Sequence, residues 1–250
     1  MRIPTCRWRE TLTVALAVSA GLARPASAEW RLGAFLGGAR TQSTSLSVTQ
    51  PSEGTDVTLS PVHYRSESFE PPIYYAYSVG VFPGARSFGI EGEFIHLKVI
   101  ADTARTTSAE GVIAGQPSSG TRALSSVVER FSISHGVNLL LVNAVMRRSA
   151  AVVGRSVPPR WILTGRAGAG ASVSHPESTI GGRSLERYEW GSFSLQGAAG
   201  VEVRIARRLF LAGEYKLTRT VQHVSIVDGS ARTPLTTHHA VAGMVVHLGR

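Results

Sequence analysis

Apolar and polar side chains alternate along most of this chain, with the period of two that belongs to β-strands. Eight stretches carry it: 30–40, 73–82, 88–101, 130–147, 160–172, 190–205, 208–222 and 236–248. In the sixth, Phe193, Leu195, Ala199, Val201 and Val203 share one face, and Ser194, Gln196, Glu202 and Arg204 share the other. In the seventh, Leu209, Leu211, Tyr215 and Leu217 oppose Glu214, Lys216 and Thr218. In the eighth, Ala240, Ala242, Met244, Val246 and Leu248 oppose His239 and His247. Most of these stretches exceed the about 5–6 residues of an ordinary strand and reach the about 9–11 that cross a bilayer.

The connections sharpen the picture. Residues 41–72, 102–129, 173–189 and 223–235 are long, whereas 83–87, 148–159 and 206–207 are shorter, and the two kinds alternate. Outer-membrane barrels have short turns on the periplasmic side and long loops outside. A soluble eight-stranded barrel has no reason to segregate them. The pattern predicts an all-β fold: an eight-stranded antiparallel up-and-down transmembrane β-barrel over residues 29–250, apolar outside and polar within, too narrow for an open pore. The Ser/Thr-rich segments 42–70 and 115–126 are expected to form a polar outer crown.

Residues 1–28 break the pattern. Arg2, Arg7 and Arg9 precede the apolar run LTVALAVSAGLA at 12–23, and Ala26-Ser27-Ala28 offers a small-residue cleavage site. These three parts predict a cleaved signal peptide. Twelve apolar residues fall short of the about 20 needed to span a bilayer as a helix. The expected location is the cell outer membrane.

Charge and cysteine content add little beyond this. The 250 residues carry 26 Lys+Arg against 17 Asp+Glu, a formal +9. Losing residues 1–28 removes four arginines and Glu10, which leaves a net of +6 and weakens any nucleic-acid reading. Cys6 is the only cysteine and lies in the signal segment, so a disulfide framework and thiolate metal sites are excluded from the mature chain. The expected partners are outer-membrane lipid, lipopolysaccharide and the barrel-insertion machinery, with a monomer as the expected state.

Several charges fall on the polar faces. Glu91, Glu93, Arg166, Glu202, Arg204 and Glu214 are expected in the lumen as a structural ion network, because an Arg facing lipid at mid-membrane costs about 2–4 kcal/mol. Removing Glu214 is expected to strand Arg166. Glu91 and Glu93 differ in parity from His96 and Lys98, so a bulge near 94–95 is needed to bring all four inside. A second group, His96, Lys98, Asn138, Lys216 and His239, maps near the outer mouth as the candidate catalytic set. His135 and His175 fall at the same level, although His135 is in phase with the lipid-facing residues. His238 and His239 are adjacent and should point to opposite sides. Within this set, His96 and His239 are the candidate metal ligands, since histidines favour divalent metals and, with a carboxylate, suit iron or copper.

The segments PPIYYAYSVGVF (71–82), FGIEGEFIHLKVIAD (88–102), ERFSISHGVNLLLVNAVMRR (129–148), GRAGAGASVSHPE (165–177), GEYKLT (213–218) and TTHHAVAGMVVHL (236–248) resemble a family of small Gram-negative outer-membrane barrels. The family is described as lipid A oxidase-like or OmpA/OmpX-type. The resemblance implies an eight-stranded barrel. For its named activity it implies oxygen-dependent oxidation of the proximal glucosamine of lipid A to aminogluconate. Barrels of this kind usually end on an aromatic residue read by the insertion machinery, whereas this chain ends His247-Leu248-Gly249-Arg250. The function expected first is a structural or surface-interaction role without a cofactor. The alternative is a lipid A-modifying enzyme that uses a divalent metal.

Overall fold

The computed structural model describes residues 28–85, 87–149 and 160–249. Residues 1–27 of the expected signal peptide and most of the 148–159 connection therefore lie outside the described residues. Fifteen strands follow one another: β1 (Glu29–Thr41), β2 (Thr44–Gln50), β3 (Thr55–Val62), β4 (Tyr64–Arg65), β5 (Tyr75–Phe82), β6 (Phe88–Ala101), β7 (Thr106–Ile113), β8 (Gln116–Ala123), β9 (Arg130–Ser149), β10 (Trp161–Ser174), β11 (Glu177–Ile180), β12 (Arg183–Glu186), β13 (Glu189–Arg204), β14 (Leu209–Ile226) and β15 (Gly229–Leu248). No described helix is long and apolar enough to cross a membrane, which leaves crossing by strands untouched.

Eight of these strands close a ring in the order β1-β5-β6-β9-β10-β13-β14-β15. All its pairings are antiparallel, and β15 returns to β1 from Trp30 opposite Leu248 to Thr41 opposite Thr237. Each ring strand corresponds to one of the eight alternating stretches of the sequence. The facing pattern holds as well. Glu214, Lys216 and Thr218 are buried while Leu211, Tyr215 and Leu217 are exposed. Inside the ring a mixed core forms, with Phe35, Ile95, Leu97, Leu139, Leu141, Ile162, Phe210 and Val245 among its apolar members.

The long connections are not loops. Segment 41–72 contains β2, β3 and β4, segment 102–129 contains β7 and β8, and segment 173–189 contains β11 and β12. Segment 223–235 is absorbed into β14 and β15, which run on to a tight turn at Val227-Asp228, with Asp228 at φ 54°. Strand β2 pairs with the upper end of β15, and β3, β7 and β8 extend that sheet. Beneath these strands lies a second apolar core of Leu46, Val48, Val57, Leu59, Leu124, Phe131, Val224 and Ile226. The expected crown is thus a packed cap, with most of its polar residues on the outer face and a few, such as Gln50 and Thr55, buried.

The register break also falls elsewhere than expected. The β6–β9 ladder stays regular through 94–95 and shifts between Leu97 and Val99, opposite Ser134-His135-Gly136. Gly136 adopts φ 113°, a conformation that a residue with a Cβ rarely takes, and a Cβ there would collide with the His96 ring. The bulge therefore lies on β9, leaving His96 on its original face.

Candidate functional site

The ring interior holds a continuous ion network. Arg31 is its hub: it donates to Glu91 (2.7 Å), Glu202 (2.8 Å), Glu214 (3.2 Å) and the Ser78 hydroxyl (3.0 Å). Arg166 pairs with Glu91 and Glu214, each at 2.8 Å. Lys216 pairs with Glu93 and lies 3.1 Å from Glu214. Asn143 Nδ2 and Gln196 Nε2 donate to the second Glu93 oxygen at 2.9 and 2.6 Å. At the opposite end from the cap, Arg147 forks onto both Glu29 oxygens at 2.7 and 2.9 Å. His247 lies between Glu29 and Glu202 at 2.5 and 2.7 Å. Gly168 makes room, since a Cβ there would overlap Asn143.

Of the expected lumen charges, Glu91, Glu93, Arg166, Glu202 and Glu214 lie in this network. Arg204 does not: it is half-buried at the end of β13 and makes no ion pair among the described residues. At that end of the strand water can solvate its charge. Arg31, Glu29 and Arg147 are members that the sequence reading missed, and Arg31 is the most connected of them. Its signal was the alternation of β1, where Trp30, Leu32 and Leu36 stand exposed and Arg31 and Phe35 are buried.

The candidate catalytic set does not converge; the wall divides it. His96 sits opposite Tyr75 in the ladder and stacks on that ring at 4.9 Å, on the same face as the exposed Tyr77. Its Nδ1 meets Asn138 Oδ1 at 2.8 Å. Lys98 has the parity of His96 and donates to the Glu70 carbonyl at 3.0 Å. Lys216 and His239 are neighbours across β14 and β15 on the inner face, where His239 contacts Thr218 (2.8 Å) and the Tyr74 hydroxyl (3.1 Å). His96 and His239 therefore cannot share an ion, because the bulge expected to turn His96 inward is absent. His238 points outward to Tyr215, as adjacency to His239 requires.

A different cluster forms where the cap meets the ring. His135, His175, Glu177 and Glu186 bring one potential ligand atom each within 4.8 Å of the others. His135 Nδ1 is 2.8 Å from Glu177 Oε1 and 3.9 Å from Glu186 Oε1. His175 Nε2 is 3.5 Å from Glu186 Oε1, and its buried Nδ1 has no hydrogen-bond partner. Tyr188 stacks on His175 at 4.1 Å. Burial alone would raise the Glu177 carboxyl, but the Ser134 hydroxyl, the Arg130 guanidinium and His135 outweigh it and hold the group below its ordinary value. The sequence offered both histidines at this level. The two carboxylates were hidden because the β11–β12 hairpin that delivers them reads as a polar loop.

No family model matches the chain, and no curated protein matches it. Solved structures similar to it include Neisserial surface protein A, at 9% identity and TM-score 0.37, covering 88% of this chain and 96% of that one. Another is the attachment invasion locus protein Ail of Yersinia pestis, at 11% identity and TM-score 0.32, covering 87% and 97%. A third is the outer membrane protease OmpT from Escherichia coli, at 8% identity and TM-score 0.43, covering 90% and 97%. These neighbours are outer-membrane β-barrel proteins.

Proposed function

We propose that the chain is an eight-stranded up-and-down β-barrel of a Gram-negative outer membrane, exported through a cleaved signal peptide, with a structural or surface-interaction role. The observation that carries this reading is the inverted polarity of the ring wall. Every ring strand exposes large apolar side chains, among them Leu36, Val79, Ile90, Val142, Leu163, Phe193, Leu211 and Met244. A contiguous apolar surface of this kind marks contact with a membrane or partner, and a band that runs round a closed ring fits a bilayer. Trp30 and Trp161 stand exposed at one end of the ring, and Tyr188 and Trp190 toward the cap, which suits interfacial girdles. Buried charges with mutual partners fill the interior instead of an open channel.

The test is fractionation and topology together. The protein should sediment with outer membranes and migrate faster on gels before boiling than after. A tag at 114–115, in the β7–β8 turn, should be accessible on whole cells, and one within 83–87 should not. Recovery as a soluble periplasmic protein would end the reading.

A further inference from the structure

We propose that His135, His175, Glu177 and Glu186 bind one divalent transition-metal ion of the zinc class, which fastens the β11–β12 hairpin to the outer end of β9. Two imidazoles and two carboxylates form a nitrogen–oxygen donor set. Such a set suits zinc and its neighbours, whereas calcium and magnesium favour oxygen alone. Four ligands at about 2.0–2.2 Å around a tetrahedral ion lie about 3.4 Å from one another. The 2.8, 3.5 and 3.9 Å separations here bracket that value. The adjustment required falls on His135 and Glu186, whose side chains are each 54% exposed and can move.

The surroundings are built for the same end. Arg130 holds Glu177 Oε2 at 2.5 Å, which turns Oε1 toward the histidines. Outer-shell partners of this kind fix a ligand's orientation. Stacking on Tyr188 fixes the plane of the buried His175 ring, whose Nε2 faces Glu186 Oε1 at 3.5 Å. The ligands come from the β9 bulge, the β10–β11 connection, β11 and β12. An ion held by four protein ligands is closed to substrate and acts as a clamp. Apart from the Arg130 and Ser134 contacts to Glu177, the hairpin is tied to β9 by a short ladder from Thr179–Arg130 to Glu177–Ser132.

The experiment uses the full chain, untagged and folded in detergent, with zinc alone as the probe. One equivalent should remain bound after dialysis, and cobalt in its place should give the intense visible absorption of a tetrahedral site. Glu186→Gln and His175→Gln should each weaken zinc binding by at least the about 10- to 100-fold lost with an outer-shell partner. Circular dichroism should match the parent, because neither side chain belongs to the ring. Trypsin cleavage after Arg183 and Arg187, both exposed, should slow with zinc, recover with chelator, and be indifferent to zinc in Glu186→Gln. The proposal is overturned if no stoichiometric zinc is retained. It is equally overturned if both variants bind zinc like the parent, or if zinc leaves cleavage of the hairpin unchanged.

Discussion

The lower and upper halves of β14 obey one alternation with opposite meanings. From Leu209 to Leu217 the outward residues are apolar and the inward ones include Glu214 and Lys216. Beyond Gln222 the inward residues are Val224 and Ile226, and His223 faces out. Strand β15 reverses close to that level: Arg232 and Thr236 face out above, Ala240, Ala242 and Met244 below. No register change separates the halves, so the backbone is not the cause. What changes is the surroundings each face is built for. The cap buries apolar side chains as a protein in water does, whereas the ring keeps its charges inside and turns its apolar surface outward.

The comparison breaks most sharply at Arg31. Arg31→Met leaves Glu91, Glu202 and Glu214 short of their shared cation. Stranding buried charges costs about 3–5 kcal/mol, so equilibrium unfolding in urea and lipid should show a loss of that order, or no folded ring at all. An unchanged midpoint would mean that the network does not hold the ring. The cap should respond to cavities instead. Leu59, fully buried there, should cost about 2–5 kcal/mol as Leu59→Ala, with proteolysis confined to the cap while the ring persists. Outward substitutions sharpen the boundary. Val142→Arg should cost about 2–4 kcal/mol in a bilayer, whereas His223→Arg above the reversal should be close to neutral; equal costs would remove the proposed membrane edge.

The smallest effect concerns Glu189. Burial would raise its carboxyl, but the Ser225 hydroxyl and amide and the Arg187 guanidinium outweigh this and hold it below its ordinary value of 4.5. A group depressed on folding stabilises fully above its unfolded value and loses that contribution as pH falls through the folded one. Hydrogen-exchange protection of the Ser225 amide, which donates to Glu189 Oε2 at 2.9 Å, should therefore fall on acidification below 4.5. Glu189→Gln should abolish that pH dependence.

All eight ring strands were legible, because each separates two environments along much of its length and so alternates in sequence. The cap strands were not. β2 and β3 bury Leu46, Val48, Val57 and Leu59 in alternation, but their outward Ser and Thr give them the composition of loops. Glu91, Glu93, Arg166, Glu202 and Glu214 were legible by parity alone. The placement of His96 and the grouping of His135 with Glu177 and Glu186 were not, since both depend on one bulge at Gly136 and on a hairpin joined to β9 from forty residues away.

Arg31 also bears on the order of assembly. It belongs to the first ring strand, and its carboxylate partners lie 60, 171 and 183 residues further along the chain. Contacts so distant carry a larger loop-closure entropy than hairpin contacts and form late. β1 meets β15 only when the ring shuts, so the cation reaches its full set of partners in the same event that closes the two edges of the ring. Before that event Glu202 and Glu214, on β13 and β14, lack Arg31 as a partner, which disfavours burial of an incomplete wall. The seam acts as a checkpoint: electrical balance inside and topological completion outside arrive together.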